Sequence, residues 1–254
     1  MNSDLSSAVG FVEEFFKHIS GIEGKIRELF DVVIFPQFPL IKPIVDSVEA
    51  GARWSDLLRV GAQDIQPEDR GAFTGAVNGI CLKSVGVSSV IIGHSERRWF
   101  FGDSDSLVNA KLSTTINMNF EPVLCIGEPG EIRDKGEQDS FVLAQLETAF
   151  DSVKLDSISA ISLAYEPVWS IGTGRNATEA EIAPMIELIR GFATKAGFPG
   201  GGANLRILYG GSVNPQNASE LYSIDGVDGF LVGGASLDAL SFSAILDAMA
   251  GEGE

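Results

Sequence analysis

The chain has 254 residues, 44% of them apolar, with 35 acidic against 18 basic side chains and a formal charge of −17. That balance disfavours nucleic acid and anionic membrane as partners. No apolar run approaches the ~18 residues of a membrane span, and no basic region followed by an apolar stretch opens the chain. The length suits one large α/β domain, read here as a single domain over 1–254 of a soluble, cytoplasmic protein. An anionic small substrate stays compatible with the charge, because helix N-termini and backbone amides make locally positive pockets in acidic proteins.

The first element is a helix. Start signals lie at Asn2 to Asp4, and Leu5, Ala8, Val9, Val12, Phe15 and Phe16 follow at helical spacing. Seven apolar runs then read as short strands: 31–36, 59–64, 88–95, 121–128, 160–168, 205–213 and 228–236. Each is followed by an amphipathic stretch. Strands that are apolar throughout, separated by helical crossovers, describe a parallel sheet covered by helices. An open doubly wound sheet usually carries a dinucleotide fingerprint after an early strand, and none is present. A (β/α)8 barrel fits better, with one strand short: the missing strand belongs ahead of the opening helix. Barrel sites are built just beyond the strands, where this chain reads "GHSER", "IGE", "YEPVWSIGTG", "YGGSV" and "VGGAS".

His94 closes the third run, and "SERRWFFG" begins a helical turn after it. A buried histidine satisfied by backbone is the bland reading. A helix N-terminus beside the ring favours the neutral imidazole, which donates a hydrogen bond. Cys125, inside "EPVLCIGE", reads as a buried thiol, and Cys81 lies far from it in no metal-ligand spacing, so no metal site is read.

Glu166 ends "LAYE", and Pro167 stops the strand there. A solvated loop glutamate is one reading. With His94 on another strand end, the other is a general base. The stretch 167–177 carries Val168, Trp169 and Ile171 with glycines at 172 and 174, which suits a lid excluding water as well as it suits a loop. The glycine pairs in "YGGSV" and "VGGAS" occur in many turns. On the last two strand ends they also mark the place where barrels hold phosphate by backbone N–H groups.

With these residues placed, the chain resembles the triosephosphate isomerase family. "GAFTG" (71–75), "GHSERR", "LCIGE", "AYEPVWSIGTG", "LYGGSV" and "FLVGGAS" occur in the family's order from about Met1 to the C-terminus. The resemblance implies a TIM barrel that interconverts dihydroxyacetone phosphate and glyceraldehyde 3-phosphate without metal or organic cofactor. It implies Glu166 as the group that moves the proton and His94 as the donor to the carbonyl oxygens. Gly172, Ser212, Gly233 and Gly234 would then hold the phosphate.

The resemblance also implies a first strand ending Asn-x-Lys, which residues 1–254 do not contain. Glu96 resembles the glutamate that pairs with that lysine, and is expected to be a buried carboxylate without its cation; Lys17 and Lys25 are poor substitutes. The expectation is a native chain starting roughly ten residues upstream of Met1. The alternatives are a phosphate-binding relative impaired in turnover and a different phosphate-binding barrel. Family members dimerise through the loop matching "GAFTG", so a homodimer through the loop with Thr74 is expected. Ala76 stands where a glutamate often pairs with an arginine like Arg98 of the other subunit. The segments 20–30 and 48–59 are longer than the family pattern and read as solvated extensions.

Overall fold

The computed structural model describes residues 2–51, 54–155, 158, 160–171, 176–202 and 205–251. Helix α1 (Leu5–His18) starts where the sequence places it. Asp4 is its N-cap, its carboxylate accepting from the Ser7 N–H at 2.9 Å while the Ser7 hydroxyl accepts from the Asp4 N–H at 3.0 Å. Next come α2 (Glu23–Leu29), β1 (Val32–Ile34), α3 (Ile41–Ala50), β2 (Leu58–Ala62), α4 (Gly79–Ser84) and β3 (Ser89–Ile92). They lead to α5 (Ser95–Phe100), α6 (Asp105–Asn117), β4 (Glu121–Ile126), α7 (Gly130–Asp134), α8 (Gln138–Ala149) and β5 (Ser162–Tyr165). The chain closes with α9 (Glu179–Ala196), β6 (Arg206–Tyr209), α10 (Ala218–Tyr222), β7 (Gly229–Phe230) and α11 (Ala239–Gly251).

Seven parallel strands lie in chain order, β1 to β7, with helices between them, which is the β/α barrel pattern with the seven strands read from the sequence. Six strands fall inside their expected runs, β2 begins one residue ahead of its run at Leu58, and every strand is shorter than its run. The runs reading to 95, 128, 168, 213 and 236 stop as strands at Ile92, Ile126, Tyr165, Tyr209 and Phe230. Turn structure takes over beyond these ends. Gly93 takes φ +67°, a region closed to most side chains, and Pro167 has no N–H to give a ladder.

The chain divides into two compact units. The first comprises the described residues within Met1–Val90, Val213–Ser223 and Gly233–Glu254. Here β1 pairs with β2 in the register Val32↔Leu58 to Ile34↔Val60, and β2 pairs with β3 through Gly61↔Ser89 and Ala62↔Val90. The apolar stripe of α1 buries Ala8, Val12, Phe15 and Phe16, with Phe15 against Phe242 of α11 at 5.5 Å between ring centroids. Leu5, on the same stripe, stays 56% exposed.

The two long segments are largely exposed, as read from the sequence, with a few packed side chains. The first contains α2, whose Ile26 is fully buried. In the second, Trp54 stacks on Phe16 at 5.5 Å, and Asp56 accepts from Arg27 at 2.8 Å, joining one segment to the other. Ile26 and Trp54 anchor these segments, while the Arg27–Asp56 pair stays at the surface.

The second unit comprises the described residues within Ile91–Ser212 and Ile224–Val232. Its strands β4 to β7 pair in succession, with Cys125↔Ala164 and Ala164↔Leu208 on one line across the sheet. Leu124, Cys125, Leu163, Ala164 and Ile207 are all fully buried, as strands covered on both faces require. No helix among the described residues is long and apolar enough to cross a membrane.

Candidate active site

His94 follows β3 and caps α5 with its side chain. Nδ1 accepts from the Glu96 N–H at 3.3 Å, so in the neutral ring the proton sits on Nε2. That Nε2 lies 3.1 Å from Glu166 Oε1. Two strand ends thus bring together the imidazole and the carboxylate singled out from the sequence.

Glu166 is 2% exposed. Its backbone N–H continues the ladder to Ile126 O at 2.8 Å, while its side chain turns to the start of α5. There the Ser95 N–H donates to Oε2 at 3.0 Å and the Ser95 hydroxyl to Oε1 at 3.1 Å. Burial raises the carboxyl above its ordinary range, and His94, Ser95 and the Cys125 thiol oppose that rise. Cys125 is buried, and burial together with the Glu166 charge pushes its thiol well up, so it stays protonated. This is the structural thiol expected from the sequence; Cys81 is exposed.

Two glycines make this seating sterically possible. A Cβ on Gly127 would fall 1.7 Å from the Glu166 carbonyl oxygen, and one on Gly210 would fall 2.9 Å from Glu166 Cγ.

Glu96 is 69% exposed at its side chain and lies 3.9 Å from His94 Nδ1, so the expected burial of this carboxylate is not found. A carboxylate without a close cation gains by remaining in water.

A second cluster fixes the segment after Glu166. Glu128, fully buried just past β4, accepts from the Tyr165 hydroxyl at 3.1 and 3.2 Å and from Trp169 Nε1 at 2.7 Å. It also accepts from Arg133 Nη1 at 3.3 Å, whose guanidinium sits 5.3 Å from the centre of the Trp169 ring. The Val168 N–H donates to the Glu128 carbonyl at 3.2 Å. Val168–Ser170 is therefore a tethered 3-10 turn, with Val168 and Ser170 buried. Burial of the Tyr209 phenol raises its pKa.

Of the residues assigned to phosphate, Gly172 lies outside the described residues. The Ser212 hydroxyl donates to the Ser170 carbonyl at 3.3 Å. Gly233 and Gly234 belong to the first unit, where they begin a short 3-10 turn at Gly234–Leu237; a Cβ at either would meet nothing within 4 Å. Thr74 sits in the first unit in a loop exposed throughout 71–76. Among the described residues no three His, Cys, Asp or Glu side chains converge as a metal site.

Ser95, Glu128 and Arg133 contact the residues of this site, and the sequence pattern does not single them out. The signal for Ser95 is its place next to His94, and that for Glu128 is a carboxylate closing an apolar strand.

A family model described as triosephosphate isomerase matches residues 1–249. A protein of that name from Nitratidesulfovibrio vulgaris (strain Miyazaki F) is 47% identical over 217 residues, covering 85% of this chain and 84% of its own. Another, from Thermus thermophilus, is 41% identical over 216 residues, covering 85% and 84%. A third, from Mycobacterium tuberculosis, is 36% identical over 253 residues, covering 99% of this chain and 94% of its own.

Proposed function

The chain belongs to the triosephosphate isomerase family, and from that premise we propose that Glu166 and His94 carry out the interconversion of dihydroxyacetone phosphate and glyceraldehyde 3-phosphate. Glu166, as carboxylate, takes a proton from the carbon beside the carbonyl. The electron pair moves onto the carbonyl oxygen to give an enediolate; the hydroxyl proton passes from one oxygen to the other by way of His94 Nε2, which ends neutral again, and the protonated Glu166 returns its proton to the neighbouring carbon, where the new hydroxyl now stands. His94 Nε2–H donates to the oxygens on which charge develops, and a neutral donor aimed at those atoms lowers the barrier without being consumed.

The observation that carries this reading is the 3.1 Å approach of His94 Nε2 to Glu166 Oε1, with Ser95 holding the same carboxylate. A buried base is a stronger one for its proton, since burial disfavours its charge. Substrate replaces the Ser95 and His94 contacts of the carboxylate as it binds. Gly172, Ser212, Gly233 and Gly234 are the phosphate-holding set, through backbone N–H groups that can approach the oxygens closely. Glu96 completes the polar surroundings of His94. The family assignment sets aside a different phosphate-binding barrel, and no observation favours an impaired relative.

Three finer statements belong to the same reading. The protein acts in the cytoplasm, as a glycolytic step, and as a homodimer formed through the loop carrying Thr74. Exposure of that whole loop, with Phe73 at 44%, supports the dimer. A monomeric mass at micromolar concentration in light scattering overturns it.

The activity test is turnover of glyceraldehyde 3-phosphate in a coupled assay by residues 1–254, and by the same chain extended with a strand ending Asn-x-Lys. Turnover that is lost on Glu166→Gln is the expected result. Absence of turnover in both forms sinks the assignment of Glu166 and His94 to this reaction.

A further inference from the structure

We propose that Gln145, on α8, is a positioning residue for Glu166: it fixes Gly127, and Gly127 fixes the backbone from which the Glu166 carboxylate reaches His94 and Ser95. The inference rests on the reading of Glu166 as the proton-moving group.

Gln145 is 5% exposed and shares the buried side of α8 with Val142, Leu146 and Ala149. A primary amide on an apolar helix face is costly there unless it is hydrogen bonded. Its Oε1 accepts from the Gly127 N–H at 2.9 Å, both groups buried. Gly127 is the first residue beyond β4, past the last rung at Cys125↔Ala164 and Ile126↔Tyr165. The side chain from α8 therefore extends the order of the sheet one residue further than the strand does.

That extra residue is the one against which Glu166 rests. Without a side chain, Gly127 lets the Glu166 carbonyl approach so closely that a Cβ would lie 1.7 Å from its oxygen and 3.2 Å from its Cα. A displacement of Gly127 is thus passed directly to the Glu166 main chain. On the opposite side Gly210 closes the slot: its N–H donates to Tyr165 O at 2.8 Å, and a Cβ there would meet Glu166 Cγ at 2.9 Å. Glu166 sits between two bare backbones, one of which is held from behind by Gln145.

Hydrogen bonds from Ser95 at 3.0 and 3.1 Å have little slack, because such bonds weaken steeply with distance and angle. Loosening Gly127 shifts the carboxylate relative to these donors. Two effects result. The charged form of Glu166 loses stabilisation, so its titration moves to higher pH. Turnover falls through misalignment while the phosphate contacts are untouched, so kcat drops and KM does not.

The test uses Gln145→Met, which keeps the length and removes the acceptor, and Gln145→Asn, which keeps the amide but withdraws it from Gly127. Val142→Ala, a packing loss on the same face of α8, is the comparison. The first readout is the 13C carboxyl titration of Glu166 in the unliganded protein, assigned by its absence in Glu166→Gln; it needs no turnover. The second is kcat and KM.

The expected result is an upward move of about half a unit or more in both Gln145 variants, with kcat down about tenfold or more and KM within about twofold, and neither change in Val142→Ala. A Glu166 titration in Gln145→Met within about 0.2 unit of the parent, or a shift equalled by Val142→Ala, overturns the proposal. If the parent chain itself lacks isomerase activity, the functional reading fails on that result alone, and the titration still decides whether Gln145 positions Glu166.

Discussion

Ser95 grips the Glu166 carboxylate twice, its N–H on Oε2 at 3.0 Å and its hydroxyl on Oε1 at 3.1 Å. Both bonds favour the charged form against a burial that disfavours it. Ser95→Ala deletes one and leaves the other. The carboxyl then binds its proton more tightly, so the acid limb of the kcat/KM profile of the free enzyme moves to higher pH. At the plateau the rate falls by less than about tenfold, because one hydrogen bond of this kind is worth roughly 1.5–3 kcal/mol to the charged resting form and is given up when substrate binds. A shift of the acid limb to lower pH contradicts this account of how the base is poised.

Replacing the base itself separates catalysis from stability. Glu166→Gln is expected to lower kcat by about 10²–10⁴-fold. Its effect on folding has the opposite sign. Burial raises the pKa of Glu166 in the folded chain above that of an ordinary glutamate, so the native state holds this proton more tightly than the unfolded state does. The stability tied to that proton is fully present below the unfolded value and is lost as pH rises through the folded one. Glutamine carries no such dependence. The variant is therefore more resistant to urea than the parent at about pH 8, and the gap narrows on descent toward about pH 4.5. Urea midpoints across that range check it; a gap that widens on acidification contradicts it.

The positions of His94 and Glu166 are legible in the sequence because strand ends in a parallel β/α chain are where polar residues have no structural reason to be. Each stands out against apolar neighbours. Ser95 and Glu128 are harder to see, since a serine at a helix start has a capping explanation and a glutamate beyond a strand has a solvated one. Gln145 leaves no signal at all: in the sequence it is one polar residue on a helix, and only the fold turns it inward to Gly127. The same limit applies to the segments 20–30 and 48–59. Arg27 and Asp56 are 29 residues apart, and nothing local announces their 2.8 Å contact. Glu96 departs from expectation for the converse reason, because its burial is inferred from a partner rather than from its own surroundings.

Glu128 anchors the turn after the base through three side chains, and the order of effects among substitutions follows. Trp169→Phe removes one donor and leaves the acceptor with Tyr165 and Arg133, costing about 1.5–3 kcal/mol of stability as a bond to a charged group. Glu128→Leu strands three donors at once in a buried place, including the Arg133 charge, which is 16% exposed at its side chain. The cost there is about 3–5 kcal/mol. Urea denaturation of both variants measures the order, and an equal or smaller loss for Glu128→Leu removes Glu128 from the centre of this cluster.

Lys111 and Asp103 form the most deeply buried ion pair among the described residues, 2.6 Å apart with each side chain 2% exposed, and Arg97 Nε joins the same carboxylate at 3.1 Å. The pair ties α6 to Asp103, three residues beyond the end of α5, and through Arg97 braces the helix that begins at Ser95. Taking away one charge is costlier than taking away two, because the survivor is left buried with less compensation. Lys111→Met is expected to cost about 3–5 kcal/mol, Arg97 keeping part of the carboxylate's stabilisation. Lys111→Met combined with Asp103→Leu then costs less than the sum of the single losses, by a coupling of about 1–3 kcal/mol. If the double variant loses the full sum, the two charges act independently and the brace is packing alone. Since Ser95 rides on α5, the same Lys111→Met protein should also show a higher acid limb in its kcat/KM profile, in the direction given for Ser95→Ala; an unchanged limb confines the brace to stability.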